Sequence, residues 1–240
     1  MKKNAALQII IFFFFCVTPL FVFCADEDAD SLRRDALAGD ISAQFKLANE
    51  YFYGTAERKI NYTLAAHWFR QVADAGIAEG MFNYGICLEQ GLGVEKNPYQ
   101  AFLYYERASK KDFAPAAFNC ALTLMRGIPA DAQKNIPAVQ PDKYRALALL
   151  ERLITENFAP AKVEMAEYLL RSPDSTPENH ARAFKMLLEL SKMEHPGGRV
   201  LRLLADCYYG GRGTAENPKE MIKCLENSFV SEFSYYTRII

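Results

Sequence analysis

The sequence predicts an all-α protein, an α/α superhelical solenoid of about five helix-turn-helix repeats with an N-terminal capping helix. Three observations carry the prediction. A small residue recurs at Ala48, Gly85, Ala121, Ala166 and Ala205, at intervals of 37, 36, 45 and 39 residues. An aromatic residue or leucine follows each by three: Tyr51, Leu88, Leu124, Leu169 and Tyr208. Each segment then leads into a second apolar pattern at helical spacing, as in Ala101, Tyr104, Tyr105 and Ala108. Self-similarity at a period of roughly 20–50 residues marks a repeat architecture.

The elements follow in order. Residues 25–40 form the N-terminal cap, with a short helix over about 31–38. Residues 41–228 form the five units. The first helix of most units closes on glycine (Gly54, Gly91, Gly127, Gly211), as a left-handed C-cap requires. The second helices start near Asn61, Asn97, Pro141, Pro177 and Asn217, several with Asn-Pro or Pro-Glu, which suits a helix N-terminus. A 13-residue helix is only about 20 Å long. One pair cannot bury its own apolar faces, but stacked pairs bury them continuously. Two units depart from the pattern. The third interval is about nine residues too long, and the excess lies between Ile128 and Asp142, with Pro129, Pro137 and Pro141. It reads as a plain surface excursion. The fourth unit has Ser172-Pro173-Asp174-Ser175 where a Gly-x-Gly turn is expected. Residues 229–240, with Phe229, Phe233, Tyr235 and Tyr236, read as a C-terminal cap or tail, and docking is the better fate for such an aromatic run.

Lys2 and Lys3 precede an apolar run from Ala5 to Phe23, the pattern of a secretory signal peptide over residues 1–24 with cleavage before Ala25. The expected location is therefore secreted or periplasmic. If the segment is not cleaved it is an anchor, and the membrane is touched only there. In 240 residues, 50% are hydrophobic and 24% charged, enough for a packed core. The formal charge of −1 excludes a nucleic-acid partner of the usual basic kind. Only His67, His180 and His195 are available for histidine chemistry.

The second unit carries Tyr84-Gly85, Leu88, Gly91-Leu92-Gly93-Val94, Asn97-Pro98 and Ala101. The first has Ala65-Ala66 and Trp68-Phe69, and the fifth has Tyr208, Gly211-Arg212-Gly213 and Asn217-Pro218. This pattern resembles the Sel-1-like repeat, a relative of the tetratricopeptide repeat, over about residues 36–228. The resemblance implies an adaptor or scaffold that binds a protein or peptide, with no cofactor. The physics agrees, since a stacked solenoid presents a long concave face lined by its first helices rather than one deep pocket, and the partner is expected on that concave face. Positions two before and two after the small residue share a face. They are Lys46 and Glu50, Asn83 and Cys87, Asn119 and Thr123, and Glu164 and Tyr168, continued by Tyr53, Gln90, Arg126 and Arg171. These residues either contact a peptide in the groove or form the solvated face of each first helix.

After residue 24 four cysteines remain, Cys87, Cys120, Cys207 and Cys224. Cys207 and Cys224 lie on the two helices of the fifth unit at similar distances from its turn, and would bridge if their Cα atoms fell within about 7 Å. The alternative is four buried thiols. No C-x-x-C, H-E-x-x-H or phosphate-binding G-x-x-x-x-G-K occurs, so neither a metal site nor a phosphate loop is indicated. His67 beside Trp68 reads as packing. Some secreted relatives of the family are described as β-lactamase-like, which leaves an envelope hydrolase as the alternative function. The Ser-x-x-Lys, Ser-Asp-Asn and Lys-Thr-Gly set of that chemistry is missing, so no catalytic residue is assigned.

Overall fold

The computed structural model describes residues 31–237, with side chains described to residue 230. The expected signal segment, residues 1–24, lies outside the described residues. Every regular element described is a helix; outside the helices, Asp131 and Ile136 form an isolated antiparallel bridge, and Ile128 and Val139 are bridge residues too. A short helix, α1, covers residues 31–37, where the capping helix is expected. Five pairs follow: α2 (Ile41–Tyr53) and α3 (Tyr62–Asp74), α4 (Ala78–Gln90) and α5 (Pro98–Ser109), α6 (Ala114–Arg126) and α7 (Lys143–Thr155), α8 (Ala159–Arg171) and α9 (Pro177–Leu190), α10 (Gly198–Gly210) and α11 (Pro218–Thr237).

The chain divides into two compact units. The first runs to Ala116 and includes Ile128–Ala138; the second comprises Ala117–Gly127 and the chain from Val139 onward. In the first, α2 packs on α3, α3 on α4 and α4 on α5. In the second, α7 packs on α8, α8 on α9, α9 on α10 and α10 on α11. An interior helix of either run therefore buries one face against the helix before it and another against the helix after it.

The small register residues sit where helices meet. Ala48, Ala121 and Ala166 are fully buried, and Ala205 nearly so. At Gly85 a side chain has no room, because a Cβ would stand 2.5 Å from the Tyr105 ring of α5. Tyr105 is itself buried and donates its hydroxyl to Glu89 Oε2 at 2.8 Å. Of the residues three further on, Leu88, Leu124 and Leu169 are buried, whereas Tyr51 and Tyr208 are only half-buried. Tyr51 is instead covered by the Arg58 guanidinium, 5.6 Å from its ring centre.

A polar clamp joins the two helices of each pair. Its first prong is a backbone hydrogen bond onto the carbonyl three after the register residue. Asn61 N–H donates to Tyr51 O at 2.8 Å, Asn97 to Leu88 at 2.8 Å, Asp142 to Leu124 at 2.8 Å and Asn217 to Tyr208 at 2.9 Å. The second prong is the N-cap. The side-chain oxygens of Asn61, Asn97, Asp142 and Asn217 accept from the N–H groups of Leu64, Gln100, Arg145 and Glu220. One residue thus satisfies an orphan donor of the second helix and holds it to the first. In the fourth pair two residues divide these roles. Ser175 Oγ donates to the Leu169 carbonyl, and Thr176 Oγ1 accepts from Asn179 N–H. This is how a turn without Gly-x-Gly keeps its geometry.

Three boundaries differ from expectation. Pro141 precedes the second helix of the third pair, which starts at Lys143 behind the Asp142 cap, because that clamp sets the start. Residues 229–237 form no separate cap or tail. No glycine or proline follows Pro218, so α11 continues through them, and Phe229 is 70% exposed rather than docked. The excess in the third unit is more than an excursion. Asp131 Oδ1 accepts from Gln133 and Lys134 N–H, the Asp131–Ile136 bridge closes the tip, and Ile136 is 7% exposed.

Candidate functional site: the outer face of the first helices

The first helices α2, α4, α6 and α8 share one construction. Buried alanine, glycine, leucine and methionine fill one side, and the remaining side carries the predicted contact row. In the first compact unit, Lys46 and Gln90 are exposed, and Glu50 and Asn83 are half-buried. In the second, Asn119, Thr123, Glu164 and Tyr168 are half-buried. Cys87, placed on this face by its spacing, does not belong to it. It is 0% exposed, because the stripe buried between two neighbours is wider than that on a helix packed on one side only.

The eight predicted residues fall into two groups. Lys46, Asn83, Gln90, Asn119 and Thr123 make no side-chain hydrogen bond or ion pair among the described residues, so their donors and acceptors are available. The other three are already engaged. Glu50 Oε2 accepts from Arg58 Nε at 2.7 Å. Glu164 Oε2 receives Arg199 Nη2 from α10 at 2.9 Å. Arg199 also bonds Glu167, which in turn pairs with Arg171 at 2.5 Å. Lys143 Nζ lies 5.3 Å from the centre of the Tyr168 ring. Its hydrogen bond to the Tyr168 hydroxyl lowers that phenol below its ordinary pKa and raises the amine above its own.

Spacing within one helix did not reveal Arg58, Lys143 and Arg199, since each comes from a different element. A usable signal was present for Arg199. Glu164 and Glu167 lie 35 and 32 residues before it, close to one repeat, so aligned repeats place all three on facing first helices. In the second compact unit the first-helix side is thus sealed at Glu164 and Tyr168 and left open at Asn119 and Thr123; in the first it is engaged at Glu50 and open at Lys46, Asn83 and Gln90.

The cysteines take the second of the two readings. Cys207 and Cys224, offered as a disulfide, stand as free thiols, as do Cys87 and Cys120, and all four are buried. Burial pushes the thiols of Cys87 and Cys207 up to about 11 and raises Cys224 as well. A thiol whose folded pKa exceeds its unfolded value favours folding fully below the unfolded value, near 9. That contribution is lost as pH climbs toward about 11. Stability is therefore expected to be level through neutral pH and to fall above about pH 9. Native thiols should react negligibly with a disulfide reagent at pH 8, and the chain from residue 25 should show all four once unfolded in denaturant. Two reactive thiols would instead mean that one pair is bonded.

Among the described residues no group of histidine, cysteine, aspartate and glutamate is placed to hold a metal ion. His67 is exposed and lies edge-on to Trp68 at 5.1 Å. Among the same residues no helix is long and apolar enough to cross a membrane.

Comparison with known proteins agrees with this construction. The Sel1 repeat model matches residues 41–77, 78–113, 159–195 and 200–226, together more than half of the chain. The long unmatched stretch within that span, residues 114–158, is the third unit with its insertion. A curated relative, chitin synthase regulatory factor 2 of Schizosaccharomyces pombe, is 30% identical over 90 residues, which is 38% of this chain and 18% of the relative. This chain therefore spans under a fifth of that protein. Two solved structures share the fold. One is a protective antigen of uropathogenic Escherichia coli described as having an SLR fold, with a TM-score of 0.70, 21% identity, and coverage of 83% of this chain and 40% of that one. The other is a Sel1 repeat protein of Oxalobacter formigenes, with a TM-score of 0.66, 20% identity, and coverage of 79% and 70%. The helix pairs are those of an α/α solenoid, and the chain belongs to the Sel1 repeat family.

Proposed function

We propose that this chain is a scaffold that binds a protein partner through the solvent-facing sides of its first helices, and that it works in a secreted or periplasmic setting. The observation that carries the reading is the row of uncommitted polar side chains at Lys46, Asn83, Gln90, Asn119 and Thr123. Lys46, Asn83 and Asn119 repeat one register, and Thr123 and Gln90 lie farther along the same side of their helices, beside a buried core. They are amides, a hydroxyl and an amine, suited to hydrogen-bonding the backbone and polar side chains of an extended or helical segment. Sel1 repeats are generally protein-interaction modules. The fission-yeast relative is named as a regulatory factor of an enzyme rather than as the enzyme, which is in keeping with a binding role. The Lys-Lys start and apolar run ahead of Ala25 support export.

The test is capture from the native envelope by the chain from Ala25, beside a variant with Lys46, Asn83, Asn119 and Thr123 changed to alanine. Both should give the same helical circular dichroism, because none of the four is in the core. The expected result is a partner whose affinity falls by about tenfold or more in the variant, the loss of roughly 1.4 kcal/mol. Equal capture by both would remove the first-helix face as the binding surface.

A further inference from the structure

The two Gly-x-Gly turns make one contact in common. The turn after α4 sets Gly93 against the Tyr62 and Thr63 backbone at the start of α3, one pair back. The turn after α10 sets Gly213 against the backbone of His180 and Ala181 in the first half of α9, again one pair back. Each turn thus grips the second helix of the preceding pair. The third pair has no Gly-x-Gly turn, and the insertion stands in its place. It meets the equivalent position: residues 128–134 and Ile136 line one hollow with Lys96 and Pro98, at the start of α5. Where the other turns use the close approach of a glycine backbone, this one buries an isoleucine, Ile136. Lys134 also pairs with Glu95 at 3.9 Å, but both side chains are largely in solvent and the pair adds little.

The tip and the base of the insertion belong to different compact units. The tip, Ile128–Ala138, belongs to the first, and its Asp131 and Ile136 exchange backbone hydrogen bonds at 2.8 and 2.9 Å. The base belongs to the second. There a Cβ on Gly127 would stand 2.8 Å from the Val139 carbonyl oxygen and 2.9 Å from Pro141, so the two ends of the insertion lie side by side. The bond from Asp142 N–H to the Leu124 carbonyl fastens the returning end to α6. The chain therefore passes between the units after Ala116, after Gly127 and after Ala138.

We propose that the insertion is a strap: with its base fixed in the second unit and its tip docked in the first, it makes the two units unfold as one. The coupling runs both ways. Unfolding the second unit opens the base, so the docked tip must close a longer and looser loop, and docking weakens. Unfolding the first unit exposes Ile136 and gives up the burial that holds the tip. The repeat pattern matched in this chain passes over residues 114–158, so the strap is a device the insertion adds to the repeats. It does not rest on the binding reading.

The experiment follows urea unfolding of the full chain with one probe in each unit. Trp68, the sole tryptophan, is buried in the first unit and reports on it by fluorescence. Cys207, buried in the second, reports on it by pulsed thiol labelling read by mass. In the parent the two midpoints should coincide, as one cooperative transition requires. Ile136→Ser should keep the native circular dichroism and separate the midpoints by about 1 M or more. A Gly-Ser-Gly-Ser insert between Ala138 and Val139 slackens the strap and leaves the tip intact. It should separate the midpoints too, and it alone decides the matter where Ile136→Ser does not fold. Val72→Ala, which removes buried volume from α3 in the first unit, should instead lower both midpoints together. Separate midpoints in the parent or in Val72→Ala would overturn the proposal. So would coincident midpoints in either folded strap variant.

Discussion

Replacing Gly93 by alanine is expected to lower stability by about 3–5 kcal/mol, at the upper end for a single substitution. Two costs combine. Gly93 has φ +70°, in the left-handed region that side chains disfavour. Its missing Cβ also faces the backbone of Tyr62 and Thr63 at the first turn of α3, and an added carbon would fall on the Tyr62 carbonyl, far inside van der Waals contact. Backbone cannot swing aside as a side-chain tip does, so the turn after α4 would have to leave α3. Gly76 is the control: its φ is +88°, but nothing lies within 4 Å of an added Cβ. Gly76→Ala carries the conformational cost alone, about 1–2 kcal/mol. The difference between the two unfolding midpoints in urea measures the steric part. Equal effects would show that the turn after α4 does not press on α3.

The next largest effect is expected at Gly85. Alanine in a helix interior normally stabilises by about 0.5–1 kcal/mol relative to glycine. Here it should destabilise by about 1–3 kcal/mol, since the Cβ would press into the Tyr105 ring at 2.5 Å and overpack a closed core. The sign reversal is the informative feature. Tyr105→Leu alone should also be destabilising, because it leaves a cavity and strips Glu89 of the Tyr105 hydroxyl. In the double variant the two changes should offset in part, with a coupling of about 1–2 kcal/mol. Additive losses would mean that Gly85 is not what sets the spacing of α4 and α5.

These glycines show what was legible in the sequence. Periodicity alone located Gly85 as a contact residue, because tight helix packing demands a small side chain at one register, and the demand repeats with every pair. The Gly-x-Gly turn was legible as a turn. That Gly93 presses on the preceding pair was not, since the contact joins residues about one repeat apart through backbone, which leaves no side-chain pattern. The same holds for Gly213, whose missing Cβ faces the His180 carbonyl. The clamp residues Asn61, Asn97, Asp142 and Asn217 were visible as helix starts. Their second role, bonding the first helix, is performed by a backbone N–H that any residue but proline carries, and so has no sequence signature.

The candidate face was legible in outline only. Counting four along a helix places Lys46, Asn83, Asn119 and Thr123 correctly on the open side. The same count wrongly includes Cys87, because a helix sandwiched between two others buries a wider stripe than one packed on one side only. Whether a polar residue on that side is available depends on partners from other elements: Arg58 for Glu50, Arg199 for Glu164, Lys143 for Tyr168. Those pairings require the stacking itself. The insertion shows the opposite case, where irregular spacing hid a folded tip, since an Asx turn, isolated bridge residues and a buried isoleucine give no periodic signal.

Site-specific photo-crosslinking tests most directly whether the first helices, and not the second, meet the partner. A benzophenone side chain is placed at Asn83 or Asn119 on first helices, and at Gln71 or Arg107 on second helices, all in the chain expressed in its own host. The expected result is an adduct with the same protein from Asn83 and Asn119 and none from Gln71 and Arg107. An adduct from the second-helix positions alone would contradict the first-helix reading, and would place the binding surface on the other side of the repeats.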